Sequence, residues 1–148
     1  YVEFPERVNY VGRLDKDSTG LLLLTNDGDL ANEIQRSRNN HEKEYHVRVN
    51  TDITEDFIKK MSEGVEILDT VTKQCKVKKT GTRNFSIILT QGLNRQIRRM
   101  CDALHVRVVH LKRVRIMNIR LGSLRPGEFR TLTRDEEQEL RRLVQKRS

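Results

Sequence analysis

Several segments of this chain alternate apolar and polar residues with a period of two, and none is long enough to bury its apolar face alone. Tyr45-His46-Val47-Arg48-Val49 is the clearest, and Phe85 to Leu89 and Val106 to Leu121 repeat the pattern. Such strands become stable only beside others in a sheet. Val65 to Leu68 and Gln74 to Val77 read as further strands, with Thr80-Gly81-Thr82 as a hairpin turn. In Val106 to Leu121 the apolar residues change parity, Val114 and Ile116 on one and Met117, Ile119 and Leu121 on the other. This predicts two linked strands with a bulge or bend near Ile116. Leu21 to Thr25 is an apolar run bounded by Gly20 and Asn26-Asp27-Gly28 and reads as a buried strand.

Helical spacing interrupts these strands. Asp29 to Arg36 sets Leu30, Ala31 and Ile34 on one face, and Thr54 with Glu55 and Asp56 opens a helix that stops near Gly64. Asn94 is expected to cap a short helix. Arg125-Pro126-Gly127 makes a turn, and Thr133-Arg134-Asp135-Glu136 matches a capping box before a helix with Leu140, Leu143 and Val144 on one face. Strands follow one another without regular helical crossovers. The fold class is therefore α+β, a mixed, mostly antiparallel sheet flanked by short helices.

At 148 residues the chain reads as one domain. Lysine and arginine number 29 against 21 acids, a net charge of +8, which favours a polyanionic partner through phosphate neutralisation and counterion release. Nucleic acid is the expected partner. No apolar run approaches the roughly 20 residues of a spanning helix, and the expected location is the cytoplasm. Cys75 and Cys101 lie far apart, without the spacing of a zinc knuckle or disulfide framework, and His41, His46, His105 and His110 form no HxxxH or HExxH pattern. Neither a metal nor a cofactor is expected.

Charge concentrates at particular places. In Gly12-Arg13-Leu14-Asp15-Lys16-Asp17-Ser18-Thr19-Gly20 two carboxylates sit among cations and glycines just before a buried apolar run. A carboxylate held there can serve as nucleophile, general base or metal ligand, and adjacent cations keep it ionised; the alternative is a solvated charged turn. Gln91 to Cys101 projects, as a helix, Arg95, Arg98, Arg99 and Asp102 on one face and Ile97, Met100, Cys101 and Leu104 on the other. One acid cannot pair with three arginines, so the face suits phosphates or a buried carboxylate. Lys43-Glu44-Tyr45 places a ring beside a cation, able to stack on an extruded base or to pack as half-core. The basic loop Arg36 to Lys43 is a further RNA-facing element.

At Gly12-Arg13-Leu14-Asp15 and Thr19-Gly20-Leu21-Leu22-Leu23-Leu24-Thr25-Asn26-Asp27-Gly28 the chain resembles the RsuA family of pseudouridine synthases. His41-Glu42-Lys43-Glu44-Tyr45, Val71-Thr72-Lys73, Cys75-Lys76-Val77-Lys78-Lys79 and Gln91 through Cys101 further resemble its RluF branch, which modifies large-subunit ribosomal RNA. The resemblance implies the pseudouridine synthase catalytic fold over 1–148, preceded in relatives by opening strands and an S4 RNA-binding domain. It implies Asp15 as the catalytic aspartate, Tyr45 as the ring stacking on the target uracil, and Arg98 as the cation paired with that aspartate. Arg13 would fill the gap left by the flipped base. Lys16, Lys43 and Asn94, with Arg95, Gln96 and Arg99, would complete the RNA-binding surface. The implied activity is isomerisation of uridine in 23S ribosomal RNA, with transfer RNA a further substrate, by a cofactor-free monomer.

Two rivals share these residues. Asp15-Lys16-Asp17-Ser18-Thr19 also spells the DxDxT of an aspartyl phosphotransferase, but that signature should end an apolar strand and Arg13 intervenes. A non-catalytic RNA-binding or ribosome-assembly module would use the same basic groove, yet has no use for a carboxylate inside it.

Overall fold

The sheet is built around β4 (Lys43–Val49), whose alternation sends Val47 and Val49 into the core and His46 and Arg48 to solvent. Residues 9–11, 14–36 and 41–145 are described in this computed structural model. β4 pairs antiparallel with β8 (Asn84–Leu89) on one side and with β9 (Val108–Ile116) on the other. β7 (Lys76–Gly81) continues the sheet beyond β8. Along its other edge β9 carries β10 (Ile119–Arg120), antiparallel, and β2 (Thr19–Gly20), parallel. The order is β10-β9-β4-β8-β7, with β2 joined to β9. This is the mixed, mostly antiparallel sheet that the strand pattern requires.

Two apolar clusters form on this frame. The larger joins Val47, Val49, Phe85, Ile87, Leu89 and Leu111 of the sheet to Phe57 and Met61 of α2 (Glu55–Glu63) and Ile97, Met100 and Cys101 of α3 (Gln96–Ala103). Phe57 and Phe85 meet edge to face, with ring centroids 5.6 Å apart, a geometry favoured by the ring quadrupoles. The smaller joins Leu21, Ile116, Met117 and Ile119 to Ala31 and Ile34 of α1 (Gly28–Arg36) and Leu140 and Val144 of α4 (Arg134–Gln145). Each helix thus faces the sheet with the stripe its spacing predicts.

The caps of α2 and α4 follow the sequence closely. The Thr54 hydroxyl accepts from Phe57 N–H, and α2 ends at Gly64 with φ 126°. Around Thr133 the capping box closes both ways, with Glu136 N–H donating to the Thr133 hydroxyl and Thr133 N–H to the Glu136 carboxylate.

Four expectations need correction. The run Leu21 to Thr25 is two pieces, β2 before it and β3 (Leu23–Thr25) within it, because β3 leaves the main sheet to pair with β1 (Asn9–Val11). Leu21 is buried while Leu22 is exposed. The hairpin between β7 and β8 turns at Thr82-Arg83, slightly later than expected. Gln74 lies before β7, and the short hairpin β5 (Glu66–Ile67) and β6 (Thr70–Val71) replaces the single strand read over Val65 to Leu68. The two linked strands with a bend after Ile116 are present as expected, as β9 and β10. A further bulge falls earlier in β9, at Val114, where Glu44 faces Arg115 and Tyr45 faces Arg113. The chain then turns through Met117, at φ 50°, into β10.

Candidate active site

A turn carries the two loop carboxylates. Ser18 N–H donates to the Asp15 carbonyl at 3.0 Å, closing Asp15-Lys16-Asp17-Ser18 into a compact bend immediately before β2. β2 is pinned to β9, and Gly20 makes that possible: its φ is 114°, and a Cβ there would stand 2.2 Å from the Arg113 carbonyl oxygen. Only glycine permits both this backbone and this approach.

α3 supplies the cations, though not as a simple helical projection. Asn94 does not cap the helix. The N-cap is Arg95, in the left-handed region at φ 48°, ψ 40°, and it makes no side-chain cap bond. That conformation takes its side chain off the helical face and swings it over the loop. There Nη1 and Nη2 donate to the two Asp17 carboxylate oxygens at 2.9 Å each, while Nη1 stands 3.9 Å from Asp15 Oδ2. Arg98 Nη2 donates to the Asp17 carbonyl at 2.7 Å, and its Nε lies 3.5 Å from Asp17 Oδ1. Arg98 therefore pairs with Asp17 where a pairing with Asp15 was expected, and Arg95 makes an ion pair with Asp15. The Arg95 hydrogen bonds hold the Asp17 carboxyl down at about 2, and the same contact raises Arg95.

Asp15 opens onto a cleft of about 630 Å³ walled by both apolar clusters, with Leu89, Ile97 and Leu111 from the larger and Leu23, Ile34 and Ile116 from the smaller. Tyr45 and Lys43 of β4, Asn94, Arg95 and Gln96 before and at the start of α3, and His41 also line it. Ring, carboxylate and cations thus meet in one recess. Lys16 is exposed on the loop. Arg99 turns back to Asn94, Nε donating to its carbonyl and Nη2 to its side-chain oxygen at 3.0 Å each. Gln96, expected to touch RNA, is 5% exposed; its Oε1 accepts from Leu93 N–H and its Nε2 donates to Gln91 Oε1. It braces the wall from inside. Arg13 lies outside the described residues, as do residues 37–40 of the basic loop.

Arg113 is the site residue that sequence reading passed over. It is 2% exposed, lines the cleft directly opposite Tyr45 in the β4–β9 register, and donates from Nε to the Leu21 carbonyl at 2.9 Å. Burial lowers its pKa, opposed by its hydrogen bond to Tyr45 and by the charge of Asp15. Its signal was available: Arg113 shares the inward parity of Leu111 before the bulge, and a cation on an apolar strand face needs buried partners.

Comparison with known proteins identifies the family. The sequence profile of the RNA pseudouridylate synthase family matches residues 2–103. The chain belongs to that family. It is 55% identical over 148 residues to the dual-specificity RNA pseudouridine synthase RluF of Escherichia coli (strain K12), covering the whole of this chain and 51% of that protein. To the ribosomal large subunit pseudouridine synthase B of Bacillus subtilis (strain 168) it is 34% identical over 150 residues, covering 97% of this chain and 62% of that one. A crystal structure of a pseudouridylate synthase superposes with a TM-score of 0.84 at 34% identity, over 90% of this chain and 59% of that one. The α+β class and the RluF-like branch of the RsuA-type pseudouridine synthases are thereby established, and the chain spans about half the length of the RluF relatives. Among the described residues no helix is long and apolar enough to cross a membrane, and no three His, Cys, Asp or Glu side chains converge as metal ligands.

Proposed function

We propose that this chain is the catalytic domain of an RNA pseudouridine synthase that isomerises a uridine of large-subunit ribosomal RNA, with transfer RNA as a further substrate. The observation that carries this reading is the recess where Asp15 faces Tyr45 beneath the Arg95 and Arg98 clamp, in a chain of this family. The reaction breaks the bond between uracil N1 and ribose C1′, turns the base, and joins C5 to C1′. One proton leaves C5 and one is gained at N1, so nothing is added or removed and no cofactor is called for.

The reacting uridine must leave its stack to enter the cleft. Its face would lie on Tyr45, which offsets part of an unstacking cost of a few kcal/mol. Asp15 then acts on the sugar through its carboxylate, with Arg95 Nη1 3.9 Å away. Lys43 and Asn94 at the cleft, and Lys16 and Arg99 outside it, contact the RNA backbone, and Arg13 fills the gap left by the flipped base. Phosphate contacts of this kind set register and give a steep salt dependence.

The deciding experiment incubates full-length protein, wild type and Asp15→Asn, with unmodified large-subunit RNA in EDTA and maps pseudouridine by carbodiimide-dependent reverse-transcriptase stops. A stop that appears with wild type and vanishes in Asp15→Asn, with RNA binding retained, is expected. Tight binding without any stop would overturn the reading in favour of a binding module.

A further inference from the structure

The floor of the cleft holds a cation that the reaction described above does not use. Arg113 makes five contacts at once. Its carbonyl accepts from Leu21 N–H at 2.8 Å, and its Nε donates to the Leu21 carbonyl at 2.9 Å, so backbone and side chain grip the same loop residue from both sides. Its strand position brings Gly20 against its own backbone. Its guanidinium donates to the Tyr45 hydroxyl, and its charge reaches Asp15. Residues directly opposite in an antiparallel pair have Cβ atoms roughly 5 Å apart, so the register itself places Arg113 under the Tyr45 side chain.

Burying a guanidinium this deeply is costly unless each face of it is satisfied. A leucine or methionine at position 113 would fill the same floor more cheaply. What those residues cannot do is tie the exit of the Asp15 loop to the hydroxyl of the ring on the neighbouring strand. Lysine cannot do so either: its ammonium is a point charge on a flexible stem, without the planar fork that spans two acceptors in fixed directions.

Resting on the pseudouridine synthase reading, we propose that Arg113 is a positioning residue: through Leu21 and the Tyr45 hydroxyl it fixes the separation of the stacking ring and the Asp15 carboxylate. Tyr45 is then held by its hydroxyl as well as used by its face. Loss of the link leaves the RNA bound and the carboxylate present, but lets ring and carboxylate drift out of reacting distance. Misplacement by about 1 Å can slow a reaction about a hundredfold.

The test is a double-mutant cycle in full-length protein with Arg113→Lys, Tyr45→Phe and the double variant. It reads the single-turnover rate of pseudouridine formation, RNA affinity and thermal melting. Tyr45→Phe keeps the ring and removes the hydroxyl, so it severs the link without emptying the floor. It is expected to fold, to bind RNA as wild type does, and to react roughly tenfold slower, the size of one hydrogen bond to a charged group. Arg113→Lys should react about a hundredfold slower, and the double variant no slower than Arg113→Lys alone, because both break one link. A purely structural arginine would give multiplying effects and a Tyr45→Phe at wild-type rate, and that outcome overturns the proposal. Should Arg113→Lys fail to fold, the Tyr45→Phe rate decides. An inactive wild type would instead overturn the pseudouridine synthase reading; an active wild type with unaffected variants overturns this inference alone.

Discussion

Arg95 holds both carboxylate oxygens of Asp17 at 2.9 Å each while standing 3.9 Å from the Asp15 carboxylate. The two loop acids therefore have separate tasks. Asp17 is gripped by Arg95 at its side chain and by Arg98 at its carbonyl, which fastens the turn to α3. Asp15, three residues before the end of the same turn, is left facing the cleft.

Asp17→Asn tests this division. Asparagine removes the charge that Arg95 and Arg98 answer, so the turn loosens and Arg95 is free to move onto Asp15. Single-turnover isomerisation is expected to fall by about a hundredfold, the cost of a misplaced reacting group, while RNA affinity holds. A near-wild-type rate would show that the clamp is ornamental. The pH sign follows from the depressed carboxyl. Because Asp17 is lowered from 3.8 to about 2, its contribution is complete above 3.8 and is lost as pH falls through about 2. The clamp is accordingly intact at every pH at which an RNA enzyme works.

Why sequence reading found the clamp's residues but misassigned its partners is instructive. A projection at about 100° per residue assumes that every residue is helical, and Arg95 is not: it adopts the left-handed conformation just before α3. Nothing in Leu93-Asn94-Arg95-Gln96 announces this, since left-handed backbone usually calls for Gly or Asn. The strands β4 and β8 were legible because alternation is a local property, and so were the caps at Thr54 and Thr133. The bend after Ile116 was legible in the change of parity, whereas the bulge at Val114 was not, because it depends on what pairs opposite. The inward parity of Arg113 was legible, but what it touches became visible only with that register in hand. Its partners Leu21 and Tyr45 are remote in sequence, and the parallel pairing of β2 with β9 joins residues 19–20 to 112–113, a link no local pattern encodes.

Gly20→Ala addresses that long-range seam. The added methyl would sit 2.2 Å from the Arg113 carbonyl oxygen and 2.5 Å from its nitrogen, and the backbone is held at φ 114°. Both obstacles are backbone, so side-chain adjustment offers no relief. Separation of β2 from β9 is expected, at a cost on the order of 1–3 kcal/mol for the unfavourable backbone alone. For a chain of this size each kcal/mol lowers Tm by roughly 2–8 °C. Melting followed by circular dichroism should show the drop, with activity falling further than stability because the seam ends in the Asp15 loop. An unchanged Tm would mean that β2 does not rest on β9.

The cysteines give the last prediction, at the alkaline end. Burial pushes Cys101 up to about 12, followed by the charge of Asp102, and pushes Cys75 up to about 11. Cys75 also donates from Sγ to the Met61 carbonyl at 3.4 Å. The thiolate is the reactive form, so alkylation by iodoacetamide near neutral pH should leave both cysteines largely unmodified in folded protein and modify both once denaturant is added. Rapid labelling of Cys101 in the native state would contradict its place in the core. The linkage has a definite sign. A raised thiol favours the folded state fully below its ordinary value of 9.0, and that stabilisation is lost as pH climbs toward 11 for Cys75 and 12 for Cys101. Lysines and tyrosines also titrate there, so the comparison must be internal: urea melts of wild type and Cys101→Ala across this range. Cys101→Ala should start less stable, because it opens a cavity between α3 and the sheet, and then lose stability less steeply above pH 9. Parallel slopes would show that the Cys101 proton is not linked to folding.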